Sequence, residues 1–199
     1  MSRIELLPDS LVVLVGASGS GKSYWAHTHF RPTQVVSSDH CRALVSDDDA
    51  DQGVNRQAFA VFYPLVRQRL SLGRLTVADS TSLEAFARER LRRLASEHGR
   101  DAHAVLFLAD AEQLLRHNRL RERRVPEPVL HRHAEQVRAL ADGNVLEEEG
   151  FTSVHRLEWP YVTGGSVRIL PPSPAPPPQV HEGPGAAQPA PDEESPRAT

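Results

Sequence analysis

With 199 residues the chain has room for one medium domain with a proper core, plus a tail, and its formal charge of −3 means that no overall basic field points to nucleic acid or an anionic membrane. The single cysteine, Cys41, excludes an intramolecular disulfide and is consistent with a reducing compartment. Residues 1–10 carry Glu5 and Asp9 without a sustained apolar segment, so they do not read as a signal peptide, and no apolar run approaches the ~20 residues that span a bilayer; the expectation is a soluble cytoplasmic protein without a membrane partner.

The first predicted strand is the apolar, β-branched run 11–15, LVVLV, and it enters Gly16-Ala17-Ser18-Gly19-Ser20-Gly21-Lys22-Ser23. That octet fits G-x-x-x-x-G-K-[ST], the phosphate-cradling P-loop. Its glycines let the backbone turn tightly and bring N–H groups up to phosphate oxygens, and the positive end of the helix starting near Lys22 completes an anion site. Lys22 is placed to reach the β and γ phosphates and the Ser23 hydroxyl to ligate Mg²⁺. Residues 16 to 23, with Tyr24 beside them, are therefore candidate nucleotide contacts. Composition points the same way. Lys22 is the only lysine among 23 basic residues, so a compact ammonium occurs at the one place where a planar fork would not fit under phosphates.

The helix after the loop runs to about residue 30, where Arg31-Pro32 stops it. A short strand at 34–37 leads into Ser37-Ser38-Asp39-His40-Cys41-Arg42, on the same sheet edge as the loop. Asp39 there has two readings: a carboxylate that accepts a proton from an attacking hydroxyl, or a cap on a helix beginning at that point. Arg42 can grip a phosphate bidentately. An acidic, glycine-containing loop follows, and then a helix at about 55–72 that Pro64 kinks or divides. If the acidic run 47–51 borders the acceptor site, it disfavours a polyanionic acceptor.

A third strand at 75–78 ends in Asp79-Ser80-Thr81, where Asp79 is a candidate Mg²⁺ carboxylate with a turn or cap role as the alternative. A helix at 83–98, a buried strand at 104–108, helices at 111–123 and 127–141 and a last strand near 153–159 complete the folded part. In residues 116–124 five arginines occur in nine positions, and Arg116, Arg119 and Arg123 share one helix face at ~100° per residue. That geometry suits a lid over a triphosphate, although a charge run is more often a solvated face. Strands alternating with helices predict an α/β fold: a parallel sheet of about five strands, helices on both faces, and ligands at the carboxyl ends of the strands. Beyond residue 163, ten of the 16 prolines fall between 171 and 196, a composition that predicts a disordered tail, residues 163–199, after a domain at 1–162. A proline-rich ligand for a protein partner is the functional alternative for that tail.

The motifs GASGSGKS, SSDHCR, DDDADQGVNRQAF, VADST and HNRLRERRVPEPVL, in this order, resemble the 5′-hydroxyl polynucleotide kinase module of bacterial RNA repair enzymes and related small P-loop kinases. The resemblance covers residues 11 to 157. It implies a P-loop NTPase sandwich with a helical lid, Asp39 as general base, Arg42 as a contact to the acceptor end, lid arginines drawn from Arg116, Arg119 and Arg123, and an ATP and Mg²⁺ requirement. This chain departs in having His117 where the family often has a basic residue before the lid Asn. Three activities are carried forward. The first is an ATP-dependent kinase acting on a 5′-OH nucleic acid end, and the second a kinase for a small hydroxyl substrate such as a sugar, nucleoside or antibiotic. The third is a nucleotide-dependent switch that presents the tail.

Overall fold

A computed structural model describes residues 3–120, 124–158 and 166–171. In chain order it contains β1 (Arg3–Leu6), β2 (Leu11–Val15), α1 (Lys22–His29), β3 (Val35–Ser37), α2 (Ser38–Ser46), α3 (Asn55–Ser71), β4 (Thr76–Asp79) and α4 (Ala85–Glu97). These are followed by β5 (Ala102–Leu108), α5 (Ala111–Arg119), α6 (Glu127–Asp142), α7 (Val145–Glu148), β6 (Ser153–Glu158) and β7 (Ser166–Ile169).

Five strands form one parallel sheet in the order β3-β4-β2-β5-β6, so the chain is the expected α/β P-loop NTPase fold. All five residues of β2 are buried, as a strand covered on both faces requires. Their alternation divides the core. Leu11, Val13 and Val15 pack with Ala58, Phe62, Val66 and Leu70 of α3, Leu91 and Leu94 of α4, and Val137 and Leu140 of α6. Val12 and Leu14 point the other way, onto Trp25, Ala26 and Phe30 and onto Ile4 and Leu6. The four α3 residues recur every fourth position and form the stripe that docks that helix. Because β2 sits between β4 and β5, and the chain leaves β2 toward β3 on one side before returning to β5 on the other, a crevice opens at its carboxyl end.

Several details differ from the sequence reading. The second face of the sheet is covered by α1 together with a two-stranded parallel sheet, β1–β7, which was not anticipated. β7 lies within the stretch 163–199 expected as tail and pairs there with β1, whereas the expected boundary at 162/163 and the proline-rich stretch from 172 onward lie outside the described residues. α3 runs undivided through Pro64, which is exposed. α2 is the helix that one reading of Asp39 placed there, α7 has no counterpart in the sequence analysis, and α5 ends at Arg119, with residues 121–123 outside the described ones.

Candidate active site

The loop after β2 is shaped by three glycines for two different reasons. Gly16 donates its N–H to the Thr81 carbonyl at 3.0 Å, tying the loop to the exit of β4. A Cβ at Gly16 would meet Phe107 Cβ at 3.1 Å and its carbonyl at 3.3 Å, so here the glycine is demanded by packing on β5 rather than by a ligand. Gly19 and Gly21 have φ of 85° and 91°, a region that L side chains rarely adopt. Gly21 is also the N-cap of α1 and supplies no side-chain acceptor, so no side chain caps the first turn of that helix. Lys22 is buried and arches back over the loop, its Nζ donating to the carbonyls of Gly16 at 2.9 Å and Ala17 at 2.7 Å. Gly16, Ala17 and Ser20 form the back of the loop. Ser18, Gly19, Gly21, Lys22, Ser23 and Tyr24 face a cavity of about 900 Å³, within the range of small-molecule sites.

The facing wall comes from β3, β4 and α2. The register places Ser37 beside Asp79, so the ends of both strands deliver side chains to one spot. Asp79 is 4% exposed, and burial pushes its carboxyl above the usual carboxylate range. The Lys22 ammonium and the Ser23 hydroxyl, acting as a hydrogen-bond donor, pull it back, while the Asp39 carboxylate pushes it up further. The two candidate Mg²⁺ ligands, Ser23 and Asp79, are thus brought together.

The helix cap at α2 is Ser37, whose Oγ accepts the His40 N–H at 3.3 Å. Asp39 lies in the first turn and is not the cap. Its carboxylate side chain is 54% exposed, lines the cavity and accepts a hydrogen bond from Arg42 Nη1 at 2.6 Å. Arg42 is itself buried. Its Nε and Nη2 donate to Asn55 Oδ1 at 3.2 and 2.8 Å, and Nη1 also donates to the Asp49 carbonyl at 2.8 Å. Four of the five guanidinium N–H groups are therefore engaged in holding α2, the acidic loop and α3 around Asp39. Beside them Cys41 is buried, which raises its thiol pKa and makes it a small core residue.

The third wall is the α5–α6 hairpin. The His117 ring donates from Nδ1 to the Gly19 carbonyl at 3.1 Å, docking α5 on the loop. Asn118 clasps the returning chain, giving Nδ2–H to the Val125 carbonyl and receiving the Val125 N–H, both at 2.8 Å. Arg124, Val125, Pro126, Val129 and His133 then face the cavity. Arg116 pairs instead with Glu112 at 3.2 Å on an exposed surface, and Arg119 is exposed; neither lines the cavity. Arg123 falls outside the described residues.

Residues 11–142, more than half of the chain, match the family model AAA_33, described as an AAA domain. The chain belongs to the AAA_33 family. No curated protein matches it. Among solved structures, this AAA_33 domain is similar to a chain of the Pnkp1/Rnl/Hen1 RNA repair complex, with 18% identity, a TM-score of 0.58 and coverage of 71% of this chain and 47% of that one. It therefore spans about half the length of that neighbour. Similar folds occur in the PezAT chromosomal toxin–antitoxin system of Streptococcus pneumoniae (16% identity, TM-score 0.57, 79% and 69% covered). They occur also in a candidate kinase from Chloroflexus aurantiacus (13% identity, TM-score 0.54, 75% and 87% covered). At these identities the likeness is one of fold.

Several cavity residues escaped the sequence reading of this AAA_33 domain. Gln52 reaches it from the turn before α3, Asn55 and Phe59 from the start of α3, and His133 from α6. A signal for His133 was present in the spacing Leu130-His133-Val137-Leu140, which places an imidazole on an otherwise apolar helix face. Asn118 offers a similar clue four residues after Leu114 on the buried side of α5.

Proposed function

We propose that this AAA_33 domain is an ATP- and Mg²⁺-dependent kinase that transfers the γ-phosphoryl group to a hydroxyl, with the 5′-OH end of a polynucleotide as the leading acceptor. The observation that carries the reading is the convergence of Lys22, Ser23, Asp79 and the exposed carboxylate of Asp39 on one cavity. Binding a nucleotide with its Mg²⁺ needs no second carboxylate beyond Asp79. A hydroxyl acceptor needs one.

The residues fit the nucleotide and the ion. The uncapped first turn of α1 and the loop amides suit phosphate oxygens, and the hard oxygen donors Ser23 and Asp79 suit Mg²⁺. Held by Ser23 and Asp79, the ion would supply charge neutralisation for the phosphate oxygens. Lys22 exchanges its loop carbonyls for phosphate oxygens. Asp39 orients the acceptor hydroxyl and takes its proton as the new O–P bond forms and the bond from γ-phosphorus to the bridging oxygen breaks, with ADP leaving. Arg42 holds Asp39 in place and keeps one N–H for the acceptor. Arg124 stands at the rim of the same cavity and is suited to the charge of the transferring group; lid roles for Arg116, Arg119 and Arg123 rest on the motif resemblance alone, Arg116 and Arg119 lying outside the cavity lining. The order of the five motifs supports the polynucleotide acceptor. A specific observation favours a small uncharged acceptor as the second reading: Ala50 and Gln52 line the cavity, so the acidic run borders it. A cytoplasmic site of action and a protein partner for the proline-rich stretch belong to the same proposal.

The test incubates the protein with labelled ATP, Mg²⁺ and a 5′-OH oligonucleotide, beside a panel of sugars and nucleosides. Label on the oligonucleotide alone supports the lead, and label only on a small molecule establishes the second reading. Nucleotide hydrolysis without transfer to any acceptor overturns both.

A further inference from the structure

His133 sits on α6 between Leu130 and Val137, on the helix face that is otherwise buried in the core, at the point where that face leaves the core and reaches the cavity. Its Nδ1 is covered by protein, and among the described residues neither Nδ1 nor Nε2 has a hydrogen-bond partner. His133 lines the cavity and its Nε2, unlike Nδ1, is not an enclosed atom, so Nε2 is the nitrogen available to a ligand there.

The neutral ring must place its one proton on one of these two atoms. A buried N–H without an acceptor is rarer and more costly than a lone pair without a donor, so the proton is assigned to Nε2. Burial, then the Lys22 ammonium, then Arg132 hold the imidazole below its usual pKa, opposed only by Glu84, so the ring is uncharged at neutral pH. A neutral N–H donor beside Lys22 can serve an anionic oxygen without adding a cation that repels the lysine. Loop amides would take the inner phosphates of a bound nucleotide, which would leave the outermost phosphoryl group to side chains of the facing walls, His133 among them.

Resting on the reading of Lys22 as the anchor of a nucleoside triphosphate, the geometry points to His133 as a phosphate-contacting residue, whose Nε2–H donates to the terminal phosphoryl group and so lets the site tell a triphosphate from a diphosphate. The full chain, its H133A, H133Q and H133N variants and Mg²⁺ are titrated calorimetrically with ADP and with a non-hydrolysable ATP analogue. H133A should bind the triphosphate analogue about tenfold more weakly, the loss expected for a hydrogen bond to a charged group, and keep ADP affinity within about twofold. H133Q, whose amide nitrogen reaches the depth of Nε2, should restore discrimination, whereas H133N, whose nitrogen stops at the depth of Nδ1, should not. Equal weakening toward both nucleotides, or rescue by Asn rather than Gln, overturns the assignment. If H133A proves unfolded by circular dichroism, the comparison of Gln with Asn decides. Wild-type protein that binds neither nucleotide would instead bring down the underlying reading of the loop, a result distinct from every variant pattern above.

Discussion

Replacing Asp39 by Asn removes the proposed base while keeping the shape of the side chain. The carboxylate is half exposed and its partner Arg42 retains Asn55 and the Asp49 carbonyl, with the amide oxygen of the substituted side chain still available to Nη1. An exposed-side ion pair of this kind contributes ~0–1 kcal/mol, so the melting temperature should move by less than about 4 °C in a chain of this size. Loss of a general base costs ~10²–10⁴ in rate, and about a thousandfold drop in single-turnover transfer is expected, with ATP affinity within about threefold of wild type. Arg42→Ala should behave differently. It removes a buried guanidinium and leaves Asn55 Oδ1 and the Asp49 carbonyl without their donor, at a cost of about 3 kcal/mol, or roughly 6–12 °C in melting temperature. Transfer falls in that variant because Asp39 is no longer held. Rapid-quench kinetics with labelled ATP, calorimetric ATP binding and thermal melts measure the three quantities. A D39N protein that transfers phosphate at more than about a tenth of the wild-type rate would refute base catalysis by Asp39.

Asp79→Asn is expected to abolish the Mg²⁺ dependence of nucleotide binding and yet stabilise the fold at neutral pH. Burial raises the Asp79 pKa, so between the ordinary carboxylate pH and the raised value the unfolded chain has released a proton that the folded one keeps. Wild-type stability therefore falls as pH climbs through that window, and the Asn variant should lack this fall; paired melts across the acid range check it, and two profiles of the same slope would sink the assignment. Asn118→Ala strips two hydrogen bonds from the Val125 backbone. A loss of about 1–3 kcal/mol is expected, with KM for ATP rising more than kcat falls as Arg124, Val125 and Pro126 lose their anchor; unchanged kinetics would show that the clasp does not organise the cavity.

Legibility differed from residue to residue for physical reasons. Asp39, Asp79 and residues 16–23 were found because each lies at the end of a short apolar run, where α/β sheets present their ligands. The β1–β7 pair was missed because its residues are drawn from opposite ends of the chain, and parallel pairing leaves no turn signature between them. Arg116 and Arg119 share a face with Arg123 by periodicity, but periodicity does not say which face meets the cavity, and the contacts went to His117 and Arg124.

What the amino-acid order alone determined is the phosphate loop: a buried β-branched strand, glycines at positions of positive φ, and the single lysine are all local, and local sterics suffice to specify them. The tertiary structure decided what stands opposite that lysine. Only the pairing of β3 with β4 sets Ser37 beside Asp79. Only the packing of α2 on α3 turns Arg42 inward to Asn55, and only the docking of α6 carries His133 to the cavity, because contacts between distant segments depend on how whole elements bury their apolar faces.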